Sequence, residues 1–354
     1  MKKKILIVAL IILLIPVKVF SYNLGDSAIL LEEDTKRVLV SKNKNSRHLI
    51  ASTTKIMTAV IAIESGKTNK MIKVTDKVLE TYGSSIYLSI GENMKLKDML
   101  YGLLMQSGND AAIMISDYLE KEDKFVMKMN EKAKKIGMKN TVFNNPHGLD
   151  DKNENYSTAY DMAILMRYAN SLPLFKKIVS TKNYTVKTDK KTYVWHNKNK
   201  LLFRYKYTTG GKTGFTEKAN RTLVTSAEKD NLKLIVVTLD DPNDFQNHKE
   251  LYEYGFNNYK MVKVFNKDEI KLPYKKIYAL DDYFYPITDD ERKLINVDYQ
   301  VSDKKKFNNN QKVGKAIIKL GNKVIHEENL YIKTNEKISS DKTGFWNKIK
   351  NLFS

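Results

Sequence analysis

The chain has 354 residues, of which 42% are hydrophobic and none is Cys, so it can bury a sizeable core but forms no disulfide or thiolate metal site. Only 15 Gly and 6 Pro exclude a collagen-like or low-complexity chain, and this length predicts one large domain or two ordinary ones. The formal net charge is +20, and the five His residues form no H-x-x-H-type pair. We therefore expect a basic globular protein without a metal ion or cofactor.

The N-terminus has the order of a secretory signal. Three Lys residues at 2–4 precede an apolar run over 5–17, and small residues near 19–21 suit cleavage. The run is shorter than the ~20 residues of a spanning helix, which favours export over an uncleaved anchor. Loss of residues 1–21, which hold four Lys and no acid, lowers the net charge from +20 to +16. Outside the cytoplasm, such a charge suits anionic membrane or wall polymer better than nucleic acid.

Residues 22–263 are predicted to form a catalytic domain of mixed α/β (α+β) type. Two short apolar runs, 27–32 and 36–41, predict paired strands, and 52–63 predicts an apolar helix ended by Gly66. Two helical stretches follow over 94–118, with a break near 107–109. Strands over 222–227 and 232–239 and a helix over 248–256 complete the domain. Helices that lie in the sequence between an early and a late group of antiparallel strands predict an α/β sandwich with its sheet on one side.

The remaining chain changes character. Residues 264–335 hold short β-prone runs between polar turns and predict a small all-β domain. In the final segment, 336–354, we predict a linker and an amphipathic helix. At ~100° per residue its apolar side chains fall within roughly 120° of arc. They are Phe345, Trp346, Ile349, Leu352 and Phe353. Nine residues are too few for a stable helix in water, so we expect an anionic membrane surface to bind them, with docking on the protein itself as the alternative.

Three short motifs occur in order: Ser52-Thr-Thr-Lys55, Ser107-Gly-Asn109 and Lys212-Thr213-Gly214. Each alone arises often by chance, but in this order in an exported chain they resemble the penicillin-recognising serine enzymes. The surrounding sequences, which include 83–88, 100–112 and Asn-Pro-His-Gly-Leu at 145–149, resemble serine-type D-alanyl-D-alanine carboxypeptidases (peptidase family S11). These are the low-molecular-weight penicillin-binding proteins of the DacA kind. In that family a β-rich domain and an amphipathic anchor follow the catalytic domain.

The residues themselves account for a nucleophile and a base. Ser52 is predicted to open an apolar helix, where free N–H groups and the dipole surround it, and Lys55 lies on the same helical face three residues later. A Ser hydroxyl needs a base, and Lys is a poor base at its ordinary pKa of ~10.4. Burial and a second cation nearby both lower the pKa of a lysine, and Lys212 supplies that cation if the motifs converge.

The resemblance implies the other roles. Ser52 is expected to be the nucleophile, Lys55 the general base and Ser107 the proton relay to the leaving amine. Asn109 is expected to bind the backbone amide of the substrate, and Lys212 and Thr213 its terminal carboxylate. Gly214 is expected to let the substrate lie close against the strand edge. The oxyanion hole maps to the N–H groups of Ser52 and Phe215. In the family, His or Tyr often stands where this chain has Phe215, which affects side-chain contacts only. His147 is interpreted as structural, as are Ser84 and Ser85.

The predicted activity is removal of the terminal D-alanine from peptidoglycan pentapeptide stems, through an acyl-enzyme that penicillins also form. The expected partners are stem peptides and β-lactams, and the expected location is the outer face of the bacterial cell membrane. A β-lactamase is a weaker hypothesis, since the stretch 146–155 lacks the E-x-x-L-N pattern that carries the added base in class A enzymes. The motifs leave a D,D-endopeptidase open, while the retained Ser52 and Lys55 argue against a catalytically silent wall-binding protein.

Overall fold

The computed structural model describes residues 24–151, 153–270, 272, 277–302 and 307–333. The predicted leader (1–21) and C-terminal amphipathic helix (345–353) lie outside these residues. The helices are α1 (Lys55–Glu64), α2 (Leu96–Tyr101), α3 (Asn109–Leu119), α4 (Glu122–Ile136), α5 (Ala159–Asn170), α6 (Pro173–Ser180), α7 (Leu201–Arg204) and α8 (Asp244–Asn258). Short 3-10 helices cover Ala51–Thr54, Asp76–Glu80 and Asp290–Leu294, and a π-helical turn covers Gly102–Gln106.

The strands of the first domain fall into one large sheet and three small ones. They are β1 (Ser27–Glu32), β2 (Val38–Lys42), β3 (His48–Leu49), β4 (Met71–Lys73), β5 (Asn93–Lys95), β6 (Tyr156–Ser157), β7 (Asn183–Lys187), β8 (Thr192–His196), β9 (Thr208–Thr216), β10 (Asn220–Lys229) and β11 (Leu232–Leu239). The large sheet has the order β2-β1-β11-β10-β9 and every pairing in it is antiparallel. Strand β9 therefore forms one edge of this sheet.

Both faces of the large sheet are covered, since every residue of β1 and all but one of β11 are buried. In β1, Ile29 and Leu31 pack with α1 and α5, whereas Ala28 and Leu30 pack with Leu251 and Tyr252 of α8. This alternation is the period of two that a strand imposes. The predicted fold class and strand pairs are confirmed. The prediction that the sheet lies on one side is wrong, since α8 covers the second face.

The second domain is a small β structure with its own apolar core, as predicted. Its strands are β12 (Lys260–Phe265), β13 (Ile277–Tyr278), β14 (Tyr283–Ile287), β15 (Ile295–Val301), β16 (Lys312–Leu320) and β17 (Lys323–Ile332). One antiparallel sheet has the order β13-β17-β16-β15, and β12 pairs with β14. Arg37 connects the domains through two bonds to Glu291, of 2.5 and 3.0 Å, and one of 2.5 Å to the Pro286 carbonyl. None of the helices in the described ranges has the length and apolar character that a membrane span requires.

Candidate active site

The three motifs meet in one cleft of about 480 Å³ between the helical layer and the edge strand β9. Predicted site residues at its surface are Ser52, Ser107, Thr213, Gly214 and Phe215. The other three predicted residues, Lys55, Asn109 and Lys212, are at most 3% exposed and lie beneath that surface. Stretches more than 150 residues apart in sequence thus converge, as the motif order predicted.

The amine of Lys55 lies between three oxygen atoms. Its Nζ is 2.9 Å from Ser52 Oγ, 2.6 Å from Asn109 Oδ1 and 2.5 Å from the carbonyl oxygen of His147. The amide and carbonyl oxygens can only accept hydrogen bonds, so each takes an N–H of the amine. A neutral amine has two N–H groups and one lone pair, and the lone pair then faces the Ser52 hydroxyl. This geometry suits transfer of a proton from Ser52 to Lys55.

The surroundings of Lys55 favour this neutral form. Burial lowers the pKa of Lys55 well below its usual value, and the nearby Lys212 and Lys198 lower it further, against a smaller opposing effect of Asp110. Burial and Lys198 also lower the pKa of Lys212, to about 7. A base that is largely unprotonated at neutral pH is what a Ser–Lys pair needs.

The backbone before the nucleophile is held in an unusual conformation. Ala51 has φ +45°, in the left-handed region that residues with a Cβ rarely adopt, and the loop at Gly148 packs against it. At Gly148, φ is +90° and a Cβ would lie 2.0 Å from the Ala51 carbonyl oxygen. Ser52 therefore lies in a 3-10 turn that leads into α1, and not at the start of the α-helix as predicted.

His147 is part of the same loop and supports it. Its Nδ1 accepts a hydrogen bond of 3.1 Å from the Leu149 N–H, and its carbonyl accepts one from Lys55. Burial lowers the pKa of His147 to about 4, so the ring is neutral near pH 7. These contacts fit the structural role predicted from the sequence.

Asn109 begins α3, and both ends of its carboxamide are engaged. Oδ1 accepts from Lys55, and Nδ2 donates a bond of 2.6 Å to the Tyr82 carbonyl. In this state Asn109 orients Lys55, and a contact with substrate requires exchange of one of these bonds. Ser107 lies two residues earlier with φ +65° and ψ +32°, a turn conformation that separates the π-helical turn from α3.

Strand β9 passes unusually close to the nucleophile. A Cβ at Gly214 would lie 2.3 Å from Thr222 Oγ1 and 3.1 Å from the backbone N of Ser52, so only glycine fits here. Lys212 is 1% exposed, and its Nζ donates a bond of 2.6 Å to the Thr213 carbonyl. The close approach is at Gly214, the residue before Phe215, whose N–H is predicted to form the oxyanion hole together with that of Ser52.

Two residues with clear roles in the site were not singled out from the sequence. Lys198, between β8 and α7, lines the cleft and repels both buried lysines. Asp110 accepts hydrogen bonds from Ser85 Oγ (2.6 Å) and from the N–H groups of Ile86 (3.0 Å) and Leu88 (3.1 Å). It thereby fixes the 83–88 loop to α3. The Ser-Gly-Asn-Asp sequence and its Gly83-Ser-Ser partner were visible, but their contact was not.

Sequence comparison identifies the family. Residues 23–243 match the family described as D-alanyl-D-alanine carboxypeptidase, which is more than half of the chain. The chain belongs to this family. Residues 247–337 match the C-terminal domain of penicillin-binding protein 5.

Individual relatives agree with this assignment. D-alanyl-D-alanine carboxypeptidase DacF of Bacillus subtilis is 36% identical over 69% of this chain and 65% of its own length. DacA of Haemophilus influenzae is 30% identical over 86% of this chain and 83% of its own. The structure of penicillin-binding protein 5 from Haemophilus influenzae matches with a TM-score of 0.75 and 28% identity, over 88% of this chain and 97% of that one. The predicted family, fold and hydrolase class are confirmed.

Proposed function

We propose that this carboxypeptidase-family chain removes the terminal D-alanine from peptidoglycan stem peptides through an acyl-enzyme on Ser52. The observation that carries the proposal is the position of Lys55 Nζ, 2.9 Å from Ser52 Oγ, with carbonyl oxygens at 2.6 and 2.5 Å to take its two N–H groups. The buried amine is thereby poised to accept a proton from the hydroxyl.

In the proposed acylation, Ser52 Oγ attacks the carbonyl carbon of the penultimate D-alanine and its proton passes to Lys55. The N–H groups of Ser52 and Phe215 hold the resulting oxyanion, and one such donor is typically worth ~10²–10³ in rate. Ser107 relays a proton to the nitrogen of the leaving D-alanine, and the C–N bond breaks to leave an ester. Water then attacks this ester, and Ser52 recovers its proton.

The proposed substrate lies along the edge of β9. An extended peptide can add to a free strand edge through its backbone, and Gly214 lets it approach closely. Lys212 and Thr213 hold the terminal carboxylate, while Asn109 binds the backbone amide after it exchanges its bond to the Tyr82 carbonyl. β-Lactams that mimic this peptide acylate the same Ser52.

The acidic side chains of the 146–155 loop are hydrogen-bonded to other residues and do not reach the cleft. This arrangement favours slow deacylation of a β-lactam over β-lactamase activity. Thr216 Oγ1 donates to Asp150, and Lys218 (2.9 Å) and Tyr156 (2.5 Å) donate to Glu154. Among the described residues, no carboxylate of this loop lines the cleft. We therefore expect the penicilloyl ester to persist, because no added base activates water beside it.

The test is release of free D-alanine from a pentapeptide that ends in D-Ala-D-Ala, with Ser52→Ala as the matched variant. We expect release by the wild type and a loss of at least ~10³-fold in the variant. Equal release by both proteins, or none by the wild type, contradicts the proposal. Hydrolysis of a cross-linked dimer faster than the pentapeptide would favour the D,D-endopeptidase alternative.

We also propose the cellular setting and domain limits from the sequence. Residues 1–21 act as an export signal, 22–263 form the catalytic domain, 264–335 the β-rich domain and 336–354 the linker and membrane-binding helix. Helix α8 ends at Asn258 on the large sheet, and β12, from Lys260, pairs with β14, which supports a boundary near residue 259, ahead of the limit predicted at 263. The protein then works on the outer face of the cell membrane, where removal of residues 345–353 should release it from vesicles that contain anionic lipid.

A further inference from the structure

A strongly basic segment borders the cleft. Residues 173–206 hold nine Lys, one Arg and a single acidic residue, Asp189, which gives this segment a net charge of +9 in a chain whose total is +20. The segment comprises α6, the β7–β8 hairpin and α7, and it ends just before β9. Nearly half of the net charge of the protein therefore lies in one short stretch.

The charge of this segment is not neutralised within the described ranges. Nine of its ten cationic side chains are exposed, and Lys191 is partly buried. None of the ten forms a salt bridge with a described residue, whereas elsewhere in the catalytic domain Lys128 pairs with Glu120 and Lys132 with Glu64. Like charges that remain unpaired repel one another, so an anion that covers the segment is bound favourably.

The hairpin and α7 form one surface that reaches the cleft. One face of the hairpin packs on the core through Tyr193 and Trp195, so alternate side chains point to solvent. At the base of the hairpin, Lys182 Nζ lies 5.7 Å from the centre of the Phe203 ring in α7. The loop over 196–200, between β8 and α7, lines the cleft. We define the basic surface as Lys182, Lys187, Lys190, Lys198, Lys200 and Arg204.

The basic surface and the second domain are at opposite edges of the large sheet. Helix α6 packs on the edge strand β9, where a Cβ at Gly210 would lie 2.4 Å from Val179 Cγ2, and α7 leads into the same strand. The second domain is joined at the other edge, through Arg37 just before β2. Four strand spacings of ~4.8 Å separate the edges, about 19 Å in all. The proposed membrane-binding helix follows the second domain, so this geometry favours a partner in the wall over the membrane.

The proposed substrate carries the matching charge. Each stem peptide that the cleft accepts ends in a free carboxylate, so a glycan strand that bears many stems is a polyanion. A five-residue stem spans at most ~17 Å when it is fully extended. A stem bound at Ser52 therefore brings its own strand and the neighbouring stems close to the cleft, where the basic surface begins.

We propose that the basic surface binds the carboxylates of neighbouring stem peptides on the same peptidoglycan strand. This contact makes polymeric peptidoglycan a better substrate than a single stem peptide, because the polymer is held beside the cleft while successive stems enter it. The inference rests on the proposed function and extends it from the bond that is cleaved to the form of substrate that is preferred.

The test compares D-alanine release from uncross-linked polymeric peptidoglycan and from a soluble pentapeptide. The variant Lys182→Gln, Lys187→Gln, Lys190→Gln removes three charges and leaves the cleft-lining lysines in place. We expect kcat/KM for the polymer to fall about 5–10-fold, because exposed ion pairs are individually weak but act together on a polyanion. The value for the pentapeptide should change less than about twofold. In 1 M salt, where the Debye length is ~3 Å, the wild type should lose its advantage on the polymer.

A second triple variant is the matched control. Lys124→Gln, Lys134→Gln and Lys139→Gln remove the same charge from exposed lysines of α4 and the turn after it, which do not line the cleft. This control should leave both kcat/KM values within about twofold of the wild type. Equal losses for polymer and pentapeptide in the first variant, equal losses on the polymer in both variants, or no loss at all would overturn the proposal.

A binding experiment keeps this inference distinct from the proposed function. The Ser52→Ala protein is sedimented with insoluble peptidoglycan from which acid has removed polymers linked through phosphodiesters. We expect binding at low salt that the three hairpin substitutions weaken. Binding that requires the phosphodiester polymers, or hairpin substitutions that weaken binding only to vesicles of anionic lipid, contradicts the proposal. If the wild type releases no D-alanine, the peptidase proposal fails, while sedimentation still decides the role of the basic surface.

Discussion

Replacement of Gly214 by alanine tests whether the close approach of β9 to the nucleophile sets the rate. The added Cβ would lie 2.3 Å from Thr222 Oγ1, 3.1 Å from Ser52 N and 3.2 Å from Thr53 N, whereas ordinary contacts begin near 3.4 Å. Strand β9 must therefore move about 1 Å from Thr222 and a few tenths of an ångström from the Ser52 turn. Overpacking of this kind costs about 1–3 kcal/mol of stability.

The effect on chemistry should be larger than the effect on stability. The movement separates the backbone at Phe215 from that at Ser52, which opens the proposed oxyanion hole. Loss of one donor there costs ~10²–10³ in rate. We expect acylation by a fluorescent penicillin, followed by stopped flow, to slow by about that factor, while thermal unfolding shifts by only a few degrees.

A second variant separates the two effects. Thr222→Ala in the Gly214→Ala background removes the 2.3 Å clash but leaves the contacts with Ser52 N and Thr53 N, so it should restore stability without restoring the rate. Gly321→Ala, at a turn of the second domain with φ +57° and no atom within 4 Å of the added Cβ, strains the backbone far from the site and should lower stability without slowing acylation. If Gly214→Ala acylates within threefold of the wild type, the argument from the β9 approach is wrong.

Three more predictions concern the base, its supporting loop and the domain contact. Lys198→Gln removes a cation that lowers the pKa of Lys55, so that pKa should rise. Activity is lost at low pH as Lys55 gains a proton. The acid limb of kcat/KM in a pH–rate profile should therefore move to higher pH. Gly148→Ala meets the Ala51 carbonyl at 2.0 Å with φ +90° and should cost at least about 3 kcal/mol, lowering Tm in calorimetry and slowing acylation together. Arg37→Met breaks the partly buried pair with Glu291. It should lower the free energy of unfolding by roughly 1–3 kcal/mol, seen as a lower Tm, and leave acylation unchanged.

Much of the fold follows from local pattern. The alternating and continuous apolar runs of β1, β10 and β11 and the helical period of α1 predicted these elements, because burial requires such periods. The position of α8 did not follow, since a sequence does not state which face of a sheet a late helix covers. The 3-10 turn at Ser52 was also missed, because it depends on the 147–149 loop pressing against Ala51.

The site was predictable as motifs but not as a network. Ser52 and Lys55 are three residues apart, so their contact follows from helical geometry. The contact of Asn109 with the Tyr82 carbonyl and the influence of Lys198 join segments that are distant in sequence. Lys198 lies in a Lys/Asn-rich stretch that resembles a solvated loop, and only its position at the cleft, near Lys212, indicates a role.

The account rests on Ser52 as a nucleophile armed by Lys55 in a cleft that acylates readily and releases the ester slowly. Intact-mass analysis after brief exposure to benzylpenicillin tests all of this at once, with peptide mapping to locate the adduct. We predict one penicilloyl group per chain, on Ser52, that persists for many minutes and is absent from Ser52→Ala. An unmodified wild type, an adduct on another residue, or rapid loss of the adduct with turnover of the penicillin would contradict it.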